Sequence, residues 1–164
     1  MDIQQRLLTE MKEAMKSGSA DRLSVIRMLR STIKNKEIDK RPTLSEGQSP
    51  SLTEEEVLQV LSTAVKQRKE AILLFIQGDR TDLADKEKYE ISVIESFLPP
   101  ALSEEELNQI IKDAIIESGA TGPKQMGNVM KLLLPKVTGK ADGKHVSDRV
   151  KVCLEQKQLL SVTE

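Results

Sequence analysis

Apolar residues recur every three or four positions along most of the chain, the spacing that places them on one face of an α-helix. The first stripe is Ile3, Leu7, Met11 and Met15, and Gly18 ends it. Six more stripes predict helices over about residues 21–39, 53–78, 82–98, 103–119, 123–134 and from 142 onward. Because no segment requires a strand, the pattern predicts an all-α protein.

Two helix starts carry a recognisable capping pattern. Thr53 and Ser103 are each followed three residues later by a glutamate, the spacing of a capping box. Each box belongs to an acidic first turn, residues 54–56 and 104–106, where carboxylates complement the helix dipole. Capping therefore explains these acidic triplets better than catalysis does.

Two adjacent prolines divide the predicted helices into two groups. Pro99-Pro100 cannot continue a helix and stiffens the backbone. We therefore predict two small helical domains, a bundle of about four helices over residues 1–98 and a three-helix domain over residues 101–160. Within the first, the segment from Lys40 to Leu52 is rich in proline, glycine and hydroxyl residues, which predicts a mobile loop.

Composition agrees with a helical protein and reveals a local charge imbalance. Aromatic residues make up only 2% of the chain and tryptophan is absent, so the core must consist of aliphatic residues and methionine. The net charge is −1, yet residues 119–152 hold seven Lys and Arg against two Asp. Residues 99–118 hold one Lys against five acidic residues. A local basic region of this kind can attract a polyanion despite the neutral total.

The residue inventory argues against several classes of protein. A single cysteine, Cys153, cannot form an internal disulfide, which fits a reducing compartment. His145 is the only histidine, so no cluster of metal ligands is expected, and we predict neither a metal nor a cofactor. No nucleophile elbow is present and no catalytic residue is predicted. The first residues lack a secretory signal pattern and no apolar run reaches the ~20 residues of a membrane span, so we expect a cytoplasmic protein.

The most informative stretch runs from the sixth predicted helix into the start of the seventh. It combines the lysines and small residues of a basic turn: Lys131, Lys136, Lys140, Lys144, Gly127, Gly139, Asp142 and Gly143. In one interpretation the turn is purely structural, with a left-handed Gly139 and Asp142 as a helix cap. In the other, the lysines and the first N–H groups of the seventh helix bind a phosphate. The spacing excludes a nucleotide-binding P-loop.

A second basic surface is predicted on the N-terminal half. Arg27, Arg30 and Lys34 share one face of the second helix, and Lys66 and Arg68 with Lys69 cluster in the third. The sequence favours the ordinary explanation, a solvated face with ion pairs to neighbouring glutamates.

Longer runs of sequence resemble a known family. The runs Arg22–Leu29, Lys34-Asn35, Glu37-Ile38 and Lys66–Glu70 resemble the N-terminal signature of the YqeY family. The runs Gly127–Lys131, Pro135-Lys136 and Gly139–Lys144 resemble the GatB/YqeY motif. The resemblance covers nearly the whole chain.

The resemblance implies a fold and a type of partner. It implies two all-helical domains, the second similar to the tail of the B subunit of glutamine-dependent aspartyl/glutamyl-tRNA amidotransferase, which grips the tRNA body. It also implies an association with carbon–nitrogen ligase activity using glutamine as amido donor. The catalytic cradle of the B subunit and the glutaminase of its partner have no counterpart in this chain, so an activity of the isolated chain is not expected.

Three functional hypotheses follow. The first is a binding module that contacts tRNA through the basic turn, with amidotransferase or aminoacyl-tRNA synthetase components as further partners. The second is a stand-alone enzyme of carbon–nitrogen bond chemistry, and the third is a protein-interaction adaptor without RNA binding. Because residues 99–164 contain no aromatic side chain to stack on bases, any RNA contact is expected to involve the backbone.

Overall fold

The computed structural model describes residues 2–41 and 50–162, with side chains through residue 159. This part of the chain contains seven α-helices and no strand, which confirms the all-α prediction. The helices are α1 (Ile3–Ser17), α2 (Ala20–Lys40), α3 (Glu54–Gln77), α4 (Thr81–Glu95), α5 (Glu104–Ser118), α6 (Met126–Val137) and α7 (Gly143–Val162). The loop predicted from Lys40 to Leu52 falls mostly on residues 42–49, outside the described residues.

The chain divides into two compact units, Met1–Pro99 (unit 1) and Pro100–Glu164 (unit 2). Unit 1 contains α1 to α4 and unit 2 contains α5 to α7. The division falls at the proline pair, where two residues without N–H groups interrupt helical hydrogen bonding. That each unit is a domain able to fold alone stays a prediction. Across the described residues, no helix is both long and apolar enough to cross a lipid bilayer.

Unit 1 is built around an aliphatic core with one phenylalanine. The fully buried residues include Leu7, Ile26, Leu29, Leu61, Ile94 and Phe97. The predicted capping box of α3 is present, with the Glu56 N–H donating to the Thr53 hydroxyl. Two details differ from the sequence prediction. The sequence pattern suggests Asp21 as the cap of the second helix, but Ser19 precedes α2 and Asp21 lies within its first turn. The apolar spacing of the third helix places Ile76 on its buried stripe, but Ile76 is half exposed near the end of α3.

Unit 2 has a separate core formed by one face of each of its three helices. Its fully buried side chains are Ile111, Ala114, Val129, Leu133, Val146, Val150 and Leu154. The capping box at Ser103 and Glu106 opens α5, and the Ser103 N–H bond to the Glu106 carboxylate lowers the pKa of that carboxyl below its usual 4.5. Gly119, with φ of 66°, ends the helix in the left-handed conformation.

The sixth helix begins later and ends later than its sequence pattern predicts. Pro123–Gln125 form a short 3-10 helix, and α6 starts only at Met126. The helix then continues through Pro135 to Val137. Pro135 removes the hydrogen bond that would reach the Lys131 carbonyl, but it sits in the last turns, where few bonds remain to be lost. Burial of Leu133 and Val137 holds this final turn against the core.

Candidate functional site

The segment between α6 and α7 is a compact turn closed by its own backbone. Gly139 has φ of 77°, in the left-handed region that favours glycine. The N–H groups of Lys140 and Ala141 both donate to the Val137 carbonyl, at 2.9 and 3.0 Å. The Thr138 hydroxyl donates back to the Leu134 carbonyl at 2.6 Å. We refer to residues 138–144 as the glycine–lysine turn. Its geometry gives Gly139 a structural role.

The turn is also fixed to the segment that precedes α5. The Leu102 N–H donates to the Lys140 carbonyl at 2.9 Å, across 38 positions of the sequence. Leu102 and Ala141 both pack, partly buried, against the core of unit 2. The backbone of Lys140 is therefore held in place while its side chain is exposed.

The start of α7 is capped by a carboxylate from the chain itself. Asp142 accepts the His145 N–H on Oδ1 at 2.9 Å, and its carbonyl accepts the Val146 N–H at 2.9 Å. The carboxylate thus occupies part of the helix N-terminus at which the sequence suggested a phosphate site. Among the described residues, the N–H groups of Gly143 and Lys144 have no acceptor. These two backbone donors at the start of α7 are therefore available to an external anion.

His145 and Arg149 are engaged by the first turn of α5. Glu104 meets His145 Nε2 through Oε1 at 3.0 Å and Arg149 through Oε2 at 2.9 Å. Arg149 also donates to the Asn108 side chain at 2.7 Å. Sequence reasoning assigned Glu104 only a capping role, because a contact 41 residues distant leaves no local signal. These side chains link α5 to α7.

The four predicted lysines differ in their surroundings. All four are exposed. Lys136 contacts Glu117 of α5 at 3.3 Å, whereas Lys131, Lys140 and Lys144 have no partner among the described residues. Lys131 and Lys136 are five residues apart on α6, which separates their directions by about 140° around the helix. Lys131 and Lys136 therefore present separate ammonium groups on different sides of α6.

Two glycines in this region are not required by the fold. Gly127 lies in the first turn of α6, and Gly143 is the first residue of α7. A Cβ built on either would meet nothing within 4 Å, and neither residue has a positive φ. Because a helical glycine is less stable than alanine by about 0.5–1 kcal/mol, the absence of a side chain at these positions has no internal explanation.

The single cysteine has a packing role. Cys153 is partly buried on α7 against the core of unit 2. In the described part of the chain, no three His, Cys, Asp or Glu side chains are grouped so as to hold a metal ion.

Comparison with known proteins identifies the family. The model of the family described as Yqey-like protein matches residues 4–154. Three curated relatives are named altered inheritance of mitochondria protein 41, mitochondrial. The relative from Kluyveromyces lactis is 30% identical over 88% of this chain and 72% of its own length. The one from Pyrenophora tritici-repentis is 26% identical over 88% of the chain and 77% of its own. The one from Lachancea thermotolerans is 32% identical over 75% of the chain but only 63% of its own length. With the family model covering most of both units, this chain belongs to the YqeY family.

Proposed function

We propose that this protein is a binding module that contacts the sugar-phosphate backbone of RNA, with tRNA as the expected RNA. The observation that carries the proposal is the set of three exposed lysines without a protein partner, Lys131, Lys140 and Lys144, on and beside a turn whose backbone is fixed. An unpaired ammonium on a rigid backbone loses little conformational freedom of the main chain when a phosphate binds. Among the other cations of residues 119–152, Lys136 and Arg149 contact carboxylates, whereas Lys124 and Lys151 are exposed and have no partner among the described residues.

The two unexplained glycines support the same proposal. Gly127 and Gly143 leave the first turns of α6 and α7 without side-chain cover. Close approach of a ligand to backbone N–H groups is a reason for glycine that does not depend on the internal packing. At Gly143, the neighbouring N–H groups are the two that Asp142 leaves unbonded.

The proposed contact is electrostatic and independent of base sequence. Unit 2 has no aromatic side chain for stacking, and the Asp142 carboxylate reduces the positive potential at the start of α7. Three phosphate contacts predict a slope of log K against log salt of about −2 to −3. This is shallower than four lysines would give, because Lys136 is paired with Glu117.

The family resemblance suggests the biological setting. Amidotransferase or aminoacyl-tRNA synthetase components are the protein partners we propose, and carbon–nitrogen ligase chemistry belongs in this proposal to the partner. The relatives' names contain the word mitochondrial, which is said of those proteins. For this chain, we propose a cytoplasmic location.

A charge-matched pair of variants tests the proposed contact. The full-length protein carrying Lys131→Gln, Lys140→Gln and Lys144→Gln is compared with one carrying Lys12→Gln, Lys16→Gln and Lys112→Gln. All six lysines are exposed and have no partner among the described residues. Binding of a fluorescent tRNA transcript is measured from 50 to 200 mM salt.

The two variants should separate clearly. The turn variant should bind more weakly and show a slope reduced by about two to three, while the control should bind as the wild type does. Equal affinity and slope in both variants would refute the proposal and favour the adaptor hypothesis. Urea unfolding of each variant shows that differences in binding do not come from unfolding.

A further inference from the structure

The outer face of α2 carries a row of cations. Arg27, Arg30 and Lys34 of α2 and the residue that follows its last turn, Arg41, are exposed. They are spaced three, four and seven residues apart, so they share one side of the helix. The buried residues of α2, which are Val25, Ile26, Leu29, Ile33 and Glu37, are centred about 100° around the helix from this row. At 1.5 Å per residue the row extends over about 21 Å.

Most of these charges are not neutralised by the protein. Arg27 and Arg41 have no partner among the described residues, and Arg30 lies 3.1 Å from the Met11 sulfur, which carries no charge. Lys34 alone is in an ion pair, with Glu37 at 3.1 Å. The ion-pair explanation favoured by the sequence therefore accounts for one of the four cations.

The other half of the second basic surface behaves differently. Arg68 on α3 is only 13% exposed and contacts Glu90 at 2.9 Å and Glu87 at 3.9 Å. Its charge is compensated inside unit 1, and its role is to join α3 to α4. The ion-pair explanation is correct for Arg68. Lys69 is exposed and lies 4.0 Å from Glu95, and Lys66 is exposed without a partner among the described residues, so the exposed arginines of this surface are those of the α2 row.

The chemistry of the face fits phosphate better than protein. Ser31 and Asn35, exposed about 40° and 80° around the helix from Arg27, are hydrogen-bond donors of the kind that contact phosphate oxygens. The exposed acids of α2, Asp21 and Asp39, lie about 120° around the helix from Arg27. Ile38, 47% exposed, is the single large apolar side chain on this face. Protein interfaces and membrane surfaces require more apolar contact than one isoleucine provides.

We propose that the outer face of α2 is a second site for the phosphate backbone of RNA, located in unit 1 and separate from the glycine–lysine turn. Guanidinium groups bind phosphate through two parallel hydrogen bonds and keep their charge at all physiological pH values. The row of arginines would follow one strand of the backbone over several phosphates. The two sites are carried by different helices, so either can fail a test without the other.

The test removes charge from this face without breaking its one ion pair. The full-length variant carries Arg27→Gln, Arg30→Gln and Arg41→Gln and retains Lys34, which keeps its contact with Glu37. The probe is a fluorescent tRNA transcript at 50 to 200 mM salt. We expect affinity at 50 mM salt to fall at least about tenfold and the log–log salt slope to shrink by about two to three.

Two control variants show whether a change in binding comes from the loss of charge at these three positions. Arginine-to-lysine replacements at the same three positions keep the charge and should preserve the slope. The charge-matched variant at Lys12, Lys16 and Lys112 should bind as the wild type does. If the α2 variant binds as this control does, the inference is wrong. Loss of binding to anionic lipid vesicles with unchanged RNA affinity would also overturn it and assign the face to a membrane surface.

The test also separates this inference from the proposed function. If the turn variant binds RNA as the wild type does and the α2 variant binds weakly, the α2 face is an RNA site and the glycine–lysine turn is not. If the α2 variant binds RNA as the wild type does and the turn variant binds weakly, the glycine–lysine turn is an RNA site and the α2 face is not. If both sites act, the combined variant should lose the sum of the two free-energy changes, because independent sites are additive.

Discussion

Replacing Gly139 or Gly143 by alanine should change stability in opposite directions, although the two residues are four positions apart. Gly139 has φ of 77°, where a Cβ crowds the following carbonyl oxygen at a cost of about 1–2 kcal/mol. Alanine also restricts the unfolded chain, which offsets about 0.4–1 kcal/mol of that cost. The net expectation for Gly139→Ala is a loss of about 1 kcal/mol.

Gly143→Ala should stabilise the protein or leave it unchanged. The residue is the first of α7, its φ is not positive, and an added Cβ would meet nothing within 4 Å. Alanine is the better helix former by about 0.5–1 kcal/mol, so a gain of that order is the upper expectation. The two variants should then differ by about 1.5–2 kcal/mol, or roughly 3–8 °C in melting temperature for a chain of this length.

The assay is urea unfolding followed by far-ultraviolet circular dichroism, with the dependence on urea compared between variants. Two further glycines serve as controls. Gly119 has φ of 66°, so Gly119→Ala should lose stability as the Gly139 variant does. Gly127 resembles Gly143 in its open surroundings, so Gly127→Ala should not. Equal stability of the Gly139 and Gly143 variants would refute the assignment of a left-handed turn. A stable Gly143→Ala protein that binds tRNA weakly would also support backbone contact at that residue.

Three other predictions concern unit 2. Leu133→Ala should lower the free energy of unfolding by about 2–5 kcal/mol because the side chain is fully buried. Leu134→Ala, at a neighbouring side chain that is 45% exposed, should lower it by less than about 1 kcal/mol. Equal losses for the two variants in urea unfolding would contradict the packing of α6. Glu104→Gln should lower stability by no more than about 1 kcal/mol through its contacts with α7, and Glu105→Gln, without a partner in the described chain, should be neutral by the same measurement. The lowered pKa of Glu106 means that its stabilising contribution is present above pH 4.5 and is lost as the pH falls through the folded-state pKa. Glu106→Gln should therefore lose less stability than the wild type between pH 7 and pH 3. A pH profile of stability that is the same in both proteins would argue against the capping box.

The sequence determined the helices because helix formation is mainly local. The capping boxes at Thr53 and Ser103 and the stop at Gly119 act through residues within one turn, and the structure contains all three. Val146 and Val150 are four positions apart, which places them on one helix face, and both are buried, since a helix repeats every 3.6 residues whatever it packs against.

Predictions failed or stayed incomplete where a distant residue decides the outcome. The half-exposed Ile76 fits the apolar stripe of α3, but a stripe does not reveal where the neighbouring helices end. The helical conformation of Pro135 depends on burial of Leu133 and Val137 against other helices, which overrides the local preference of proline.

The charged surfaces illustrate the same division most clearly. The sequence placed Arg27 and Arg68 in comparable basic clusters, because spacing along a helix does not record which carboxylates lie across from it. Packing of α3 on α4 brings Glu90 to Arg68, while nothing in the described chain reaches Arg27. Sequence therefore determined which residues carry charge and on which helix face. Only the tertiary structure decided which charges are compensated internally and which are available to a partner, because ion pairing depends on distances between helices far apart in sequence.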